Sequence, residues 1–279
     1  MGHTISVVVC TRNRPAAVAR VVEQVWQQRW EGLDIVVVDQ SEEPQAPTQD
    51  GIRYHVDPGC GLPRARNIGL GLATGDAVLF LDDDVYLHPG CLRAHHDVYL
   101  DSRVGGAVGR IHERVDLPNT RRPGLTIGID GRAMVCLTGA VPSRVGSLKG
   151  ANMSMRRVAA LAAGGFDEGF GGTAFFEDAD VATRIARMGW ELWYAPNAAV
   201  DHLSEPLGGV RTVPEMAVWW RFHNTGRWLA LHRGWPGLVA AWPSHAAIAT
   251  RDAIHRRDLG RVRQLLSALR QGFNSAAST

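Results

Sequence analysis

The stretch Ala77-Val78-Leu79-Phe80-Leu81-Asp82-Asp83-Asp84 decides the fold, because an apolar run ends abruptly in three carboxylates. The run predicts a buried strand, and the acids lie where that strand leaves the core. Adjacent carboxylates repel and are costly to bury, so a positive group is expected beside them. On an extended chain Asp82 and Asp84 point to one side and Asp83 to the other. The pattern therefore predicts an Asp-x-Asp clamp for Mg2+ or Mn2+ carrying a diphosphate. An acidic, solvated turn is the plainer alternative.

The residues before this stretch alternate between strand and helix patterns. Strands are predicted at 5–10, 33–39 and 52–56, and helices at 15–28 and 62–73, with Gly75 ending the second helix. This alternation predicts an α/β fold with a doubly wound, mostly parallel, Rossmann-like sheet flanked by helices. Ligands bind beyond the carboxyl ends of the strands in such a sheet. Asp39 and the acid cluster would then face one crevice.

The second half of the chain has a less regular pattern. Helices are predicted at 88–100, 158–163 and 177–188, strands at 104–115, 151–155, 191–195 and 198–202, and a mobile loop at 116–147 with a short strand near 133–137. Beyond residue 212 the pattern is helical, with a break at 234–237. We therefore predict a catalytic domain over 1–205, with a nucleotide-binding half near 1–100 and an acceptor half near 101–205. A C-terminal helical extension over 206–279 follows it.

Composition narrows the class of protein. The chain has 279 residues, 45% of them hydrophobic, and a net charge of +2, which argues against a dedicated nucleic-acid binder. The cysteines show no Cys-x-x-Cys spacing and are predicted to be free thiols in a reducing compartment. We see no secretory signal before the first strand and no apolar stretch long enough to span a membrane. The expected location is the cytoplasm.

A second group of acids follows two aromatic residues in Phe175-Phe176-Glu177-Asp178. Acids in the first turn of a helix stabilise its dipole, which is the simpler explanation. A glycine-rich stretch over 164–172 precedes them, however, and lets backbone and substrate approach closely. Neighbouring aromatic rings desolvate a carboxylate and raise its proton affinity, as a general base requires.

Two further features suit an anion and a metal. Arg64 and Arg66 lie near a predicted helix start, where arginines suit a diphosphate, although a solvated basic face is equally consistent. His202 ends a predicted strand. A lone histidine is more often structural, but a neutral imidazole can complete a metal site begun by carboxylates.

Taken in order, six motifs resemble glycosyltransferase family 2, whose members have the GT-A fold. They are Cys10-Thr11-Arg12-Asn13-Arg14-Pro15, Val36-Val37-Val38-Asp39-Gln40-Ser41, Ala65-Arg66-Asn67-Ile68-Gly69, Phe80-Leu81-Asp82-Asp83-Asp84, Gly164-Gly165-Phe166-Asp167-Glu168 and Glu177-Asp178. The resemblance covers roughly residues 4–205.

The resemblance implies a metal-assisted, inverting transfer from a nucleotide-diphosphate sugar to an acceptor hydroxyl. It implies a role for each of the following residues: Thr11, Arg12, Asn13, Asp39, Arg66, Asp82 and Asp83 in donor binding, Asp84 and His202 in metal binding, Asp178 as the base and Glu177 as an acceptor contact. The acceptor class stays open between a glycan, a lipid-linked sugar and a small natural product. Gln40 replaces a common second acid and Arg12 a common aromatic residue, which leaves the nucleobase open.

Two rival functions and the role of the C-terminal segment remain open at this stage. A catalytically inactive nucleotide-sugar sensor would share the donor residues, whereas an Asp-nucleophile phosphotransferase would need a downstream lysine, and Lys149 is the only one. The Trp- and Arg-rich segment over 219–242 suits a helical flap on the core, a homodimer interface, an acceptor platform or a peripheral contact with a membrane.

Overall fold

The computed structural model describes residues 4–113, 124–205, 208–209 and 214–277. Its first half confirms the predicted alternation: β1 Ile5–Thr11, α1 Pro15–Gln27, β2 Asp34–Asp39, β3 Ile52–Val56, α2 Leu62–Leu72 and β4 Ala77–Asp82. Gly75 does not end α2, because Ala73 already leaves the helical conformation. Gly75 is instead a point of close backbone approach, where a Cβ would lie 2.6 Å from the Ser6 nitrogen.

The second half contains more strands than the pattern predicted: β5 Val85–Leu87, α3 Cys91–Val98, β6 Val104–Glu113, β7 Gly124–Ile127, β8 Ala133–Cys136, β9 Ser143–Arg144, β10 Asn152–Arg156, α4 Arg157–Ala162, α5 Glu177–Arg187 and β11 Glu191–His202. Strands β5, β7 and β9 were not predicted, because they have only two to four residues, too few for a periodicity. Helix α3 is also shorter than predicted.

The two short strands predicted at 191–195 and 198–202 are one strand, β11. Its register against β6 shifts between Ala195 and Ala199. Pro196 lies in this bulge, where it removes no hydrogen bond from the ladder. The Asn152 side chain donates to the Ala198 carbonyl at 2.8 Å and so satisfies a backbone group that the bulge leaves out of the ladder.

The central sheet has the strand order β3-β2-β1-β4-β10-β6-β11-β5, with β9 paired to β11. In the described chain, β1, β2, β3, β4, β6 and β11 run in one direction and β5, β9 and β10 run against them. Strands β1, β2 and β4 are apolar and buried almost throughout, as expected for strands covered on both faces. The predicted mostly parallel α/β sheet is confirmed.

The region predicted as a mobile loop contains ordered strands. Residues 116–123 lie outside the described residues, but β7 and β8 form an antiparallel hairpin that turns at Gly131, whose φ is +73°. The predicted mobility of residues 116–147 stays a prediction.

The C-terminal segment is helical, as predicted: α6 Pro214–His232, α7 Gly234–Arg256 and α8 Gly260–Ala277. The break falls at Arg233, so Pro236 lies in the first turn of α7, where a missing N–H costs no helical bond. These helices share a second apolar core with Phe170, Phe176 and Ala179 of the preceding segment. The domain division at residue 205 stays a prediction. No helix in the described ranges has both the length and the apolar character needed to cross a membrane.

Candidate active site

The predicted donor residues meet at one edge of the sheet because parallel strands end there together. In the ladder Thr11 pairs with Asp39, and Cys10 pairs with Asp82. Strand β4 ends at Asp82, and Asp83 and Asp84 lie in the following turn, not in an extended strand as expected. This turn still separates the side chains: Asp82 and Asp84 converge on His202, whereas Asp83 turns toward Thr11.

Two cations supply the positive charge that the acid cluster requires. The Arg14 Nη1 atom lies 2.8 Å from Asp83 Oδ1 and 3.2 Å from Asp84 Oδ2. The His202 Nε2 atom lies 3.3 Å from Asp84 Oδ1, and its Nδ1 atom lies 3.0 Å from Glu113 Oε2. Glu113 also pairs with Lys149.

The carboxylates of the cluster differ in their proton affinity. Burial raises the pKa of Asp83 to about 6, although Arg14 and the Thr11 hydroxyl, which donates at 2.7 Å, oppose this rise. Burial also acts to raise the pKa of Asp84, but hydrogen bonding and charge from His202 lower it overall. For His202 burial acts to lower the pKa, and its bonds to Asp84 and Glu113 raise it to about 9.

The residues at this edge fit a hard divalent cation. One ligand atom each from Asp82, Asp84 and His202 lies within 4.8 Å of the other two. Two carboxylates and an imidazole are a donor set that Mn2+ and Mg2+ accept, with open positions left for a diphosphate. Asp82 therefore lies with the metal candidates, whereas the resemblance implied a contact with the donor.

Of the predicted nucleotide residues, Thr11, Arg12 and Asp83 line the cleft beside β1 and β2, and Asn13 and Asp39 directly neighbour lining residues in the chain. Asp39 accepts from the Ser41 N–H at 2.8 Å and from the Tyr54 hydroxyl at 2.6 Å. Arg12 lines the cleft together with Gln40, whose buried Oε1 atom has no hydrogen-bond partner in the described structure. Asn13 is exposed and has a left-handed backbone with φ +56°.

Arg66 connects the strand-end acids to the second acidic group. Its guanidinium is buried, lies 3.2 Å from Asp82 Oδ1 and forms an ion pair with Glu177. Burial raises the pKa of Glu177 well above its ordinary value, and Arg66 offsets part of this rise. The guanidinium also lies over the Phe166 ring, 5.7 Å from its centroid.

Asp178 occupies the first turn of α5, as predicted. Its Oδ2 atom accepts from the Gly150 N–H at 2.8 Å, and its Oδ1 atom from the Ala179 N–H at 2.7 Å. Burial raises the pKa of Asp178, while Arg66 and the backbone hydrogen bonds lower it in part. Asp178, Glu177, Asp82 and His202 all line one cavity, so the two acidic groups face a shared space.

Comparison with known proteins identifies the family of this chain. The model described as glycosyl transferase family 2 matches residues 6–158. This chain belongs to glycosyltransferase family 2. It is 30% identical over 222 residues to a glucosyl-dolichyl phosphate glucuronosyltransferase of Haloferax volcanii, covering 71% of this chain and 68% of the relative.

Two other similar proteins extend the comparison. A pre-mycofactocin glycosyltransferase of Mycobacterium tuberculosis is 30% identical over 209 residues, which cover 71% of this chain and 42% of the relative. The match thus spans less than half the length of that relative. A crystal structure of GalNAc-T7 with UDP, GalNAc and Mn2+ superposes with a TM-score of 0.67 at 16% identity, covering 99% of this chain and 56% of that one. The GT-A fold is therefore confirmed.

Three charged residues of this family 2 member lie at the site but were not predicted there. Arg14, Glu113 and Lys149 compensate or orient Asp84 and His202. Arg14 lies in the first motif, directly after β1, and that position could have indicated its role. Glu113 and Lys149 could not have been found, because only the pairing of β6 with β11 brings Glu113 beside His202.

Proposed function

We propose that this protein is an inverting glycosyltransferase that moves a sugar from a nucleotide-diphosphate sugar to an acceptor hydroxyl. One observation carries the proposal: the strand-end acids with His202 and the helix-start acids Glu177 and Asp178 line the same cavity. A donor held at one side would present its anomeric carbon to an acceptor at the other.

The donor side is proposed to hold the nucleotide and its diphosphate. Asp82, Asp84 and His202 would bind Mg2+ or Mn2+, which neutralises charge on the leaving diphosphate. Thr11, Arg12, Asn13, Asp39 and Asp83 would contact the nucleoside. The similar GalNAc-T7 structure holds UDP and Mn2+, which supports this choice of ligands.

The reaction we propose is a single in-line displacement. Asp178 takes the proton of the acceptor hydroxyl while that oxygen forms a bond to the anomeric carbon. The bond from this carbon to the diphosphate oxygen breaks, and the configuration inverts. Arg66 faces the space between the two acidic groups, so it stabilises negative charge as the diphosphate leaves. Glu177 would orient the acceptor.

The acceptor is proposed to carry an apolar part. The shared cavity is lined by apolar side chains from the β7–β8 hairpin and from the stretches before α5 and β10, namely Leu125, Ile127, Val135, Leu148, Phe175 and Phe176. A lipid-linked sugar or a small natural product fits this lining better than a bare glycan. The names of the two relatives, one acting on a dolichyl phosphate derivative, agree with this class.

A peripheral contact with a membrane would bring the enzyme to such an acceptor. Helix α7 exposes Trp235, Val239 and Trp242 by 63%, 69% and 43%, at the spacing of one helix face. Residues 214–277 contain nine arginines and three acids, which suits anionic lipid headgroups.

Flotation with anionic vesicles tests this: Trp235→Ser should lose binding, whereas Trp26→Ser, in α1, should keep it. Concentration-independent monomers in sedimentation would exclude the alternative, a homodimer through these helices.

The decisive experiment measures nucleotide binding and turnover together. We expect Mn2+ to raise the melting temperature with one of UDP, GDP or dTDP, because a ligand that binds only the folded state stabilises it. Asp84→Asn should abolish this metal-dependent shift and leave the fold intact. A sugar donor of the same nucleotide should be turned over with inversion, as read by NMR of the anomeric proton. Binding without turnover of donor or acceptor would identify a sensor instead, and full activity in EDTA would exclude the metal.

A further inference from the structure

A second group of metal-ligating side chains lies outside the cleft. His88, His112 and Asp201 are half-buried, and one ligand atom from each lies within 4.8 Å of the other two. The His88 Nε2 atom is 2.8 Å from Asp201 Oδ1. The two imidazole rings lie 5.6 Å apart with an interplanar angle of 31°. We propose that these three residues form a second cation site, which takes zinc or a similar late first-row divalent metal.

The alternation of side chains along two strands separates this site from the donor site, which is the candidate metal site formed by Asp82, Asp84 and His202. Asp201 pairs with His112 in the β6–β11 ladder, and the next pair is His202 with Glu113. Successive side chains point to opposite faces of a sheet, so the second pair turns toward Asp84 and the first pair turns away from it. The two candidate sites thus lie back to back across the same strands.

The backbone holds the proposed ligands in place without a metal. His88 directly follows β5, and its N–H donates to the Ala199 carbonyl at 3.0 Å. Its own carbonyl accepts from the Gln28 amide at 3.3 Å. The His112 ring makes no hydrogen bond within the described ranges, so its nitrogen lone pair remains available to a metal. A preformed site needs little reorganisation to bind.

The ligands of the second site favour a particular class of metal. Two imidazoles and one carboxylate match the three-ligand pattern of open zinc sites, with a fourth position left for water. The donor site, with two carboxylates and one imidazole, is harder and suits Mg2+ or Mn2+. The two sites should therefore take different metals from a mixture of both.

A metal at the second site would brace the frame of the first. It would join β5, β6 and β11. Asp84 directly precedes β5, Glu113 ends β6 and His202 ends β11, so these strands also position the donor site. Strand β5 has only three residues and lies at the sheet edge, so a link to β6 and β11 would hold it in place. This inference does not depend on the proposed transfer reaction.

The test is a zinc titration of the full chain in an Asp84→Asn background, which removes the donor site. We expect calorimetry to find one zinc per chain. Co2+ bound in its place should show the visible d–d absorption bands of a low-coordinate cobalt ion. Adding His88→Asn or His112→Asn should weaken binding by at least about tenfold, the loss that even an outer-sphere partner can cause. Adding His255→Asn, at an exposed position of α7, should change nothing and serves as the matched control.

The outcomes separate the proposal from its rivals. Equal zinc binding in the His88 and His112 variants would mean adventitious surface ions and overturn the site. Absence of a bound zinc in the Asp84→Asn protein would overturn it as well. Asp201→Asn guards against misfolding of the histidine variants: it should also lose zinc binding while its metal-free melting temperature stays near that of the parent.

Discussion

At the scale of single residues, the site is organised by how its carboxylates are compensated. Arg14 and His202 lie against Asp83 and Asp84, and Arg66 lies against Asp82 and Glu177. Removing one partner of such a buried pair leaves an uncompensated charge, which costs more than the pair itself contributes. Substitutions of paired carboxylates should therefore change the stability of the protein as well as its chemistry.

Asp178 and Glu177 should respond differently to loss of charge. Asp178→Asn keeps the shape and removes the proton acceptor, so turnover should fall by about 10²–10⁴-fold with donor affinity and stability nearly unchanged. Glu177→Gln should raise the acceptor KM more than it lowers kcat. It should also lower the free energy of unfolding, because Glu177 is 3% exposed and paired with Arg66. Steady-state kinetics and urea unfolding check both; near-normal turnover of Asp178→Asn with an inactive Glu177→Gln would reverse the roles.

Arg14 should compete with a metal for Asp84. Arg14→Gln leaves Asp83 and Asp84 close together without their guanidinium, so the metal-free protein should lose roughly 1–3 kcal/mol of stability. Mn2+ should then raise the melting temperature of the variant more than that of the wild type, because it replaces a missing charge. Arg103→Gln, which removes an exposed pair with Asp101, is the control and should behave like the wild type. An unchanged response to Mn2+ would show that Arg14 does not occupy the metal's place.

At the scale of secondary-structure elements, the C-terminal helices hold the start of α5. His232 on α6 lies 2.8 Å from Asp180 on α5, one turn from the acids of the cavity. Arg227 pairs with Asp167 at 2.8 Å, and the Asn224 amide donates to the Gly171 carbonyl at 3.0 Å. Phe176, just before α5, packs into the helical core. The position of Asp178 therefore depends on α6.

The crossing of α6 and α8 should not tolerate a side chain. A Cβ at Gly226 would lie 1.9 Å from the Leu269 carbonyl oxygen. Gly226→Ala should thus cost about 1–3 kcal/mol or more through overpacking, despite the better helix propensity of alanine. Gly71→Ala, in α2 with nothing within 4 Å of its Cβ, is the matched control and should gain about 0.5–1 kcal/mol. Urea unfolding measures both, and a stabilised Gly226→Ala would refute this helix crossing.

At the scale of the whole molecule, two apolar cores are joined through α5, the helix that begins with Glu177 and Asp178. The larger core surrounds the sheet, and the smaller one lies among α6, α7 and α8. Because Phe170 and Phe176 belong to the second core, a chain cut at the predicted boundary near residue 205 would expose apolar surface beside the cavity. The two predicted units are thus expected to unfold together.

The pH dependence of global stability should carry the signature of His95. This side chain is fully buried between Ser154 and Asn152, and burial lowers its pKa to about 4. Below about pH 6.5 the histidine binds a proton in the unfolded chain but not in the folded one. The free energy of unfolding therefore decreases as the pH is lowered from about 6.5 to about 4. Between about pH 7.5 and about pH 5, this single group should lower the free energy of unfolding by about 2 kcal/mol.

Comparison with a variant isolates this contribution from other titrating groups. His95→Gln should show a smaller loss of stability between the two pH values, by about the same 2 kcal/mol. Asp83, whose raised pKa has the opposite effect on acidification, is present in both proteins and cancels in the difference. Identical pH profiles of wild type and variant would contradict a neutral, buried His95.

Much of this protein could be read from the sequence because local signals agreed with one another. The apolar strands β1, β2 and β4 and the acids after β4 appear as continuous patterns, and chain order alone places Thr11, Asp39 and Asp82 at one edge of a parallel sheet. The start of α5 at Glu177 was equally visible from its acids. These features depend on residues close together in the chain.

Tertiary structure alone decided which charges meet. Glu113 reaches His202 through strand pairing across 89 residues, Arg66 reaches Glu177 across 111, and His232 reaches Asp180 across 52. No periodicity encodes such contacts, because they depend on the order of strands in the sheet and on how the C-terminal helices pack. The sequence by itself thus determined the buried parallel strands, the family and the acids that follow β4 and begin α5. Only the folded chain determined how those acids are compensated, and why His88, His112 and Asp201 converge.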